Sequence, residues 1–428
     1  MRRVRSILSD PLLRHSILLM ATAQVGNLAN LAFQILMNRR LSDVEYGILA
    51  AMVSLMAMMI LPLEALRATL AHRTALAIQE GRSGTIRPLC LRWTRRTLIA
   101  WACLFVVFLM AGPACGRMFR LGSPWPLWIT GAGVSGIMLL PVMAGVLQGA
   151  QRFAAFAWAI QTPNLLRFIL GAGLVWWMPR AWTGYSAQAV GFVAAAACAG
   201  CWVRAGWRGR DLPDAPAAAG DAYFFKSLAI LGAFALLMLA DVLLVKAWFD
   251  EDLAGRYSRA ATIARAVVYL PMPVAMALFP KVVSRGERTR EGRRMLARAL
   301  AGVGALLTVS AAAAWIWAPL LWRLFTGVEP AVGDRTLLRG LVLALAPLAL
   351  AHLLLHFELA QHRFRSCIIA VAGTAVYLMG VYLRHPTPLA VAGWLGGVSL
   401  AVFLGLAAAQ WGATAPSPGR PAAGDANP

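Results

Sequence analysis

A stripe of polar side chains interrupts an apolar segment in the first half of the chain. Gln161, Asn164 and Arg167 recur at intervals of three residues, and residues three or four apart lie on one face of an α-helix. If this segment crosses a bilayer, Arg167 lies near its middle, where an arginine costs at least about 2.5–3.5 kcal/mol. We therefore expect Arg167 to face a hydrated interior and to bind an anion through charge-assisted hydrogen bonds. A structural ion pair is the competing interpretation.

A second polar stripe lies in the first apolar segment, where Gln24, Asn27, Asn30 and Gln34 follow one another at intervals of three or four residues. Amides that faced lipid would lack hydrogen-bond partners. This face must therefore contact other helices or water. Two interpretations remain open: packing between helices, or the lining of a hydrophilic cavity in which Gln24 and Asn27 contact polar groups of a ligand.

Two pairs of opposite charge fall inside apolar segments. Asp241 and Arg265 flank an acidic turn near residue 250 at similar distances, so a helical hairpin would bring them to a similar depth as an ion pair. A structural role and a role in substrate or proton binding stay open for this pair. Glu64 and Arg67 are three residues apart, close enough to pair on one helix, and Arg67 is also a candidate cavity residue.

His352 and His356 are four residues apart and share one helical face. Histidine titrates near neutral pH, so they are a candidate proton-linked pair. No third metal ligand is positioned with them, and the spacing of Cys198 and Cys201 lacks the strand and helix of a redox motif. We expect no metal and no cofactor.

Sequence motifs typical of soluble enzymes are not evident. The chain has no phosphate-binding loop of the GxxxxGK[ST] type and no paired-carboxylate or Ser/His/Asp arrangement in a credible context. We therefore expect that this chain is not an enzyme and does not drive transport with ATP.

These polar groups belong to a very apolar chain, which is 60% hydrophobic with a mean hydropathy of +0.67. A helical crossing of a bilayer needs about 20 apolar residues. Twelve stretches meet that length and predict an all-α polytopic membrane protein: 14–37, 46–70, 97–115, 125–148, 157–178, 184–204, 224–248, 260–281, 298–321, 337–359, 365–383 and 388–410.

The net charge of +22 is distributed asymmetrically between the loops. If the basic amino terminus is cytoplasmic, the loops on that side and the carboxyl tail hold 25 of the 40 lysines and arginines, and the opposite loops hold 11. This bias follows the positive-inside rule. It places both termini in the cytoplasm and explains the basic loops without nucleic acid as a partner.

A Pro-, Ala- and Gly-rich segment at 205–223 divides the twelve stretches six and six. It predicts bundles at 1–204 and 224–410, with a disordered cytoplasmic tail at 411–428. The halves share an acidic turn before a glycine, and a proline follows Gly47 by 15 residues and Gly255 by 16 residues. Two six-helix halves with the same orientation would be parallel repeats about an axis along the membrane normal.

Three motifs resemble the polysaccharide and oligosaccharide flippases of the multidrug/oligosaccharidyl-lipid/polysaccharide exporter superfamily. The first is the run from Gln24 to Leu49, which contains both the amide stripe and the first acidic turn. The second is Gly145-Val-Leu-Gln-Gly-Ala-Gln-Arg-Phe153. The third is Ala240-Asp-Val-Leu-Leu-Val-Lys246 with the segments around 254–260 and 278–281. The resemblance covers residues 11–410.

The resemblance implies two six-helix bundles around a central cavity in a bacterial inner membrane. It also implies transport of a polyprenyl-diphosphate-linked oligosaccharide between leaflets, with membrane lipids and possible polysaccharide polymerase and glycosyltransferase partners. Cavity arginines could bind the diphosphate. Many members have fourteen spans, whereas this chain has twelve. Two alternatives are a multidrug or cation exporter of the same fold and a non-transporting scaffold for envelope synthesis. Coupling to protons, sodium or the membrane potential is open.

Overall fold

The computed structural model describes residues 11–206, 220–269, 290–360 and 364–412, which are almost entirely helical. Thirteen α-helices occur in these ranges: α1 (Pro11–Arg40), α2 (Asp43–Gln79), α3 (Ile86–Met118), α4 (Trp125–Gly149), α5 (Phe153–Trp177), α6 (Ala181–Gly206), α7 (Gly220–Trp248), α8 (Glu251–Tyr269), α9 (Arg290–Ile316), α10 (Ala318–Thr326), α11 (Val332–Ala360), α12 (Phe364–Leu383) and α13 (Pro388–Gly412). This confirms the predicted all-α class.

Eight helical segments in the described ranges are long and apolar enough to cross a membrane: Asp43–Gln79, Ser83–Met118, Trp125–Gly149, Ala181–Gly206, Phe224–Trp248, Leu296–Ile316, Val332–Leu359 and Pro388–Gln410. Cys367–Leu383 of α12 is a shorter apolar helix. Two of the other predicted spans lie on α1 and α5, and residues 260–269 of the third lie on α8, while its residues 270–281 lie outside the described residues. Polar and charged side chains lower the hydropathy of these three helices. The chain is a multi-pass membrane protein whose least apolar helices carry much of the candidate site.

Several predicted boundaries were wrong. The basic loop predicted at 71–96 is reduced to residues 80–85, because α2 continues to Gln79 and α3 begins at Ile86. The predicted span 298–321 is broken at Trp317, where α9 gives way to α10, with Pro319 in the first turn of α10. Hydropathy marks the apolar part of a helix, but backbone hydrogen bonding continues through polar turns. Residues 207–219 of the predicted linker and 413–428 of the predicted tail lie outside the described residues.

The helices pack in two groups that follow the chain. In the first half, α1 packs on α5, α5 on α6, α6 on α4, and α4 on both α2 and α3. In the second half, α7 packs on α12, α12 on α13, α13 on α11, and α11 on both α8 and α9. The halves meet where α2 packs against α7 and α8, and where α1 packs against α10.

Gly47 and Gly255, which hold equivalent places in the proposed repeat, meet across the two halves. A Cβ atom built on Gly47 would lie 3.3 Å from the Cα atom of Gly255. A Cβ atom built on Gly255 would lie 1.9 Å from the carbonyl oxygen of Asp43. Glycine at these positions therefore lets the first turns of α2 and α8 approach each other at backbone distance.

We expect Gly255→Ala to destabilise the protein by about 1–3 kcal/mol, the usual range for overpacking, since its methyl group would collide with a backbone carbonyl. Thermal unfolding in lipid nanodiscs measures the effect. Gly304→Ala on α9 is the matched control, because nothing lies within 4 Å of its added Cβ atom. Equal unfolding temperatures for the two variants would contradict the close approach.

Candidate functional site

Arg167 on α5 is buried where α1, α5 and α6 pack together, and its side chain is 7% exposed. Its Nη1 donates to Oε1 of Gln188 on α6 at 2.6 Å, and its Nη2 donates to Oδ1 of Asn30 on α1. The guanidinium also lies over the Phe33 ring, 4.3 Å from its centroid. Three helices thus hold the plane of the guanidinium in a fixed orientation.

The charge of Arg167 is not neutralised by these contacts. Asn30 and Gln188 offer amide dipoles, and no carboxylate acts on the guanidinium within the described residues. A buried cation with neutral partners keeps its attraction for an anion. Sequence reasoning found Arg167 but missed Gln188, an amide within an otherwise apolar predicted span.

The α1 amide stripe divides into two parts. Asn30 and Gln34 lie within the protein, where Gln34 Oε1 is 3.4 Å from the Tyr46 hydroxyl. Nearer the amino end of α1, Gln24 and Asn27 are exposed on the surface of the chain. Asn30 and Gln34 therefore take part in packing between helices, whereas the Gln24 and Asn27 side chains are accessible at the surface.

Gln161 and Asn164 lie beside this stripe on α5. The Gln161 side chain packs directly against the backbone of Gly26. A Cβ atom built on Gly26 would lie 1.8 Å from the amide oxygen of Gln161. Asn164 Nδ2 donates to Gln161 Oε1 at 3.3 Å. The two predicted polar stripes therefore adjoin each other through the contact of α1 with α5.

Glu64 and Arg67 form an ion pair on α2. The Arg67 Nε donates to Glu64 Oε2 at 2.8 Å, and its Nη1 donates to Gln148 Oε1 on α4. The side chains of Arg67 and Glu64 are 22% and 38% exposed. Unlike Arg167, Arg67 is paired with a carboxylate and is partly accessible.

His352 and His356 contact each other on α11, with their Nε2 atoms 2.9 Å apart. The His352 ring stacks on Phe234 of α7, with the centroids 5.3 Å apart. The histidine pair therefore lies in the second half, where α11 and α7 approach each other.

Asp241 and Arg265 form an ion pair within the second half. Arg265 Nη2 lies 2.5 Å from Asp241 Oδ1 and 3.0 Å from the carbonyl oxygen of Met238. The Tyr257 hydroxyl donates to the other carboxylate oxygen at 3.0 Å. Asp241 is fully buried and Arg265 is 17% exposed, so the cluster is largely internal. Tyr257 was missed, because a tyrosine on an apolar face gives no sequence signal of a polar partner.

Arg259 on α8, which sequence reasoning did not single out, ties the second half to the turn between α1 and α2. Its Nε donates to Asp43 Oδ1 at 2.7 Å and its Nη2 to the Leu41 carbonyl at 2.6 Å, while Nη1 donates to the Asn38 carbonyl. The guanidinium lies 5.0 Å from the centroid of the Tyr46 ring. All three nitrogens of the guanidinium group are used to join the halves.

Further contacts join the halves at the same end of the molecule. We call it the α1–α2 end, because α1 ends there and α2, α8 and α11 begin there. The Tyr46 hydroxyl donates to Thr262 Oγ1 at 2.9 Å. Arg39 donates through Nη2 to the Leu324 carbonyl of α10 at 2.7 Å, and Arg120 Nη1 donates to the Phe249 carbonyl at 3.2 Å. We call these contacts, together with those of Arg259, the inter-half seal.

Beside the seal lies an open cleft of about 550 Å³, lined by Asn38, Arg39, Leu41, Ser42, Asp43, Arg256, Arg259, Trp322, Thr326, Val328, Glu329, Ala331 and Asp334. Its charges are engaged with one another, since Arg256 pairs with Asp334 at 2.6 Å and Arg259 with Asp43. The cleft is therefore a mixed-charge surface of the seal and lacks the excess positive charge found at Arg167.

The candidate residues form separate groups in the two halves. Arg167, its amide partners and the Glu64–Arg67 pair belong to the first half, and the Asp241–Arg265 and His352–His356 pairs belong to the second. Within the described ranges, no three His, Cys, Asp or Glu side chains could hold a metal ion. Cys198 and Cys201 are both exposed, free thiols.

No protein-family model matches the chain, and no curated protein matches it. Solved structures do match. The chain is similar to an inward-facing multidrug resistance MATE family transporter of the MOP superfamily, with a TM-score of 0.70 and 15% identity over 92% of this chain and 97% of that one. It is also similar to the lipid II flippase MurJ in an inward closed conformation, with a TM-score of 0.68 and 13% identity over 91% of this chain and 86% of that one.

An outward-facing MATE family transporter of the same superfamily gives a TM-score of 0.59 and 17% identity over 94% of each chain. These identities are low, so the similarities establish the fold. The chain has the two-bundle helical fold of MOP superfamily transporters.

Proposed function

We propose that this chain is a transporter that moves a polyprenyl-diphosphate-linked oligosaccharide, or a related polysaccharide precursor, across the bacterial inner membrane by alternating access. The observation that carries the proposal is the uncompensated charge of Arg167 in the interior of a transporter fold. A diphosphate is a dense anion whose paired oxygens suit the planar donors of a guanidinium. A cationic substrate would be repelled at this position.

Other interior groups support an anionic, hydroxyl-rich substrate. Arg67 and Arg265 are partly accessible and could turn from their carboxylates to a phosphate when substrate enters. Gln24 and Asn27 are exposed on α1 and could bind sugar hydroxyls. Amide groups both donate and accept hydrogen bonds, as hydroxyl recognition requires.

The inter-half seal supports a conformation that is open on one side. The bias of basic residues puts the α1–α2 end on the outer face of the membrane, and Arg259 and Tyr46 join the halves there. The higher TM-score with the inward-facing transporter than with the outward-facing one agrees with a closed outer end. In this proposal the bundles at 1–204 and 224–410 rock against each other, with both termini cytoplasmic.

We expect Arg167→Ala to lower flipping of a polyprenyl-diphosphate oligosaccharide in proteoliposomes by about tenfold to a hundredfold, since hydrogen bonds to a charged group contribute about 1.5–3 kcal/mol. Arg167→Lys keeps the charge but loses the planar donors, so we expect partial activity. The assay follows protection of the labelled glycan from an external modifying reagent.

Arg204→Ala is the matched control, because it removes an arginine from an exposed position in the last turn of α6. Size-exclusion profiles and unfolding temperatures identify variants that fail to fold. Normal flipping by folded Arg167→Ala would overturn the proposed anion site. Transport of cationic compounds without flipping of the glycan would instead indicate a multidrug exporter, and transport of neither would indicate a non-transporting scaffold.

A further inference from the structure

Lys246 on α7 is a buried basic residue without a polar contact. Its side chain is 0% exposed, and its Nζ atom has no hydrogen-bond partner among the described residues. α7 ends two residues later, at Trp248, yet the long side chain of Lys246 does not reach the surface there. An amine that is enclosed in this way loses its hydration and gains no hydrogen bond in return, which is energetically costly.

The face of α7 that carries Lys246 packs against the first half of the protein. A Cβ atom built on Gly232 of α7 would lie 3.9 Å from the Cβ atom of Pro62 on α2. Leu243 of α7 packs against a core cluster whose buried members all belong to the first half. Lys246 follows Gly232 by almost four helical turns and Leu243 by almost one, so the three residues share one face. Lys246 therefore lies on the side of α7 where the two halves meet.

Lys246 also lies close to the α1–α2 end. Phe249, in the turn after α7, accepts a hydrogen bond from Arg120 of the first half as part of the inter-half seal. Separation of the halves at this end would break that contact and uncover the adjoining face of α7. In water a lysine is a cation. Its charge is compact and sits on a flexible stem, so an uncovered Lys246 could follow an anion in the gap between the halves.

The nearby carboxylates are bound to other groups. On α2, on α7 and in the turn after α7, the described acidic side chains pair with arginines: Asp43 with Arg259, Glu45 with Arg180, Glu64 with Arg67, Asp241 with Arg265 and Asp250 with Arg120. Glu251 and Asp252 begin α8 beyond that turn, and the Nζ atom of Lys246 makes no hydrogen bond to either. The positive charge of Lys246 is therefore available to a ligand, as that of Arg167 is in the first half.

We propose that Lys246 is a second anion-binding group, which binds the diphosphate of the substrate when the α1–α2 end opens. This inference rests on the proposed transport function. Arg167 belongs to the first half and Lys246 to the second, so the opened gap presents the anion with one cation from each half. An anion on Lys246 stabilises the open conformer, because Lys246 is enclosed in the closed one. The substrate then favours the conformer that releases it at this end.

The test is opening of the α1–α2 end by inorganic pyrophosphate, a soluble diphosphate. Spin labels are placed at two exposed positions, Trp125 in the first turn of α4 and Val332 in the first turn of α11. The full-length chain carries alanine in place of its six native cysteines and is held in nanodiscs. We expect millimolar pyrophosphate to raise the ratio of long to short distances by about tenfold, the effect of one hydrogen bond to a charged group.

Lys246→Met should abolish the response to pyrophosphate, because it removes the amine and keeps a side chain of similar length. It should also raise the unfolding temperature in the absence of pyrophosphate, since it removes a buried amine that has no partner. Lys226→Met is the matched control. Lys226 lies on the same helix but is exposed, so its loss should leave the pyrophosphate response intact.

A pyrophosphate response that survives Lys246→Met would overturn the proposal, as would the absence of a response in the unsubstituted chain. A Lys246→Met variant that unfolds at a lower temperature would also overturn it, because the amine would then be stabilising the closed structure. Pyrophosphate carries neither glycan nor lipid, so these outcomes are separate from failure of the flipping assay. Flipping that depends on Arg167, together with a pyrophosphate response that does not depend on Lys246, would remove this inference alone.

Discussion

Arg259→Ala is expected to open the α1–α2 end of the protein. The substitution removes three hydrogen bonds between the halves and leaves Asp43 without that partner. A hydrogen bond to a charged group contributes about 1.5–3 kcal/mol, so a net loss of about 3 kcal/mol is a conservative expectation. That corresponds to roughly a hundredfold change in the ratio of conformers that are closed at the α1–α2 end to conformers that are open there.

The opening can be measured with a cysteine placed at Leu41, which is 4% exposed and whose carbonyl accepts from Arg259. In a chain without native cysteines, a membrane-impermeant maleimide should label position 41 slowly with Arg259 present and much faster after Arg259→Ala. Arg259→Lys should give an intermediate rate, because a lysine can pair with Asp43 but cannot reach both carbonyls as a guanidinium does.

Arg256→Ala is the matched control for this experiment. Arg256 lies on the same helix and has a carboxylate partner, but that partner, Asp334, belongs to its own half. Its loss should leave position 41 protected. Equal labelling of the Arg259→Ala and unsubstituted chains would show that Arg259 does not hold the α1–α2 end closed.

Asp241→Ala is expected to destabilise the protein by about 3–5 kcal/mol, the range for removing one partner of a buried ion pair. Asp241 is fully buried, and its loss would leave the Arg265 guanidinium, 17% exposed, without its carboxylate. The Tyr257 hydroxyl would lose its acceptor as well. Thermal and denaturant unfolding in nanodiscs measure the effect. Glu329→Ala is the control, since it removes one partner of the exposed Arg323–Glu329 pair, for which about 0–1 kcal/mol is expected.

The double variant Asp241→Leu with Arg265→Met separates the structural role of this pair from a functional one. Replacing both charges with apolar side chains of similar volume is often neutral for stability, so we expect the double variant to be more stable than Asp241→Ala, although the Tyr257 hydroxyl still loses its acceptor. Normal flipping by a stable double variant would assign the pair to structure alone. Stability with loss of flipping would assign it to substrate or coupling. If Asp241→Ala itself is no less stable than Glu329→Ala, the buried pair is not formed.

Helical periodicity predicted much of the arrangement around Arg167. The stripes on α1 and α5 had to face protein or water, because lipid offers amides no partners. The structure accordingly joins Asn30 to Arg167 and places Gln161 over Gly26. Gln188 could not be found in the same way, since a lone amide in an apolar span forms no stripe. Its role depends on how α6 packs against α5, which periodicity does not encode.

The contacts of the inter-half seal could not be predicted from the sequence for a related reason. Arg259 was counted among loop charges, and its partner Asp43 is 216 residues away. A contact at that separation depends on how the two bundles dock. The sequence feature that could have indicated this contact is the pair of glycines in the proposed repeat, because the backbones of the two halves meet at Gly47 and Gly255.

The positions of the charge partners have a consequence for how this chain enters the membrane as it is synthesised. Gln188 follows Arg167 on the very next helix, and Arg265 follows Asp241 on the very next helix. Each costly charge can therefore be partnered within one helical hairpin, before later helices exist. Asn30, on α1, has already been made when Arg167 emerges. Insertion of α5 with α6, and of α7 with α8, as paired units would lower the barrier that an isolated charged helix meets at the translocon.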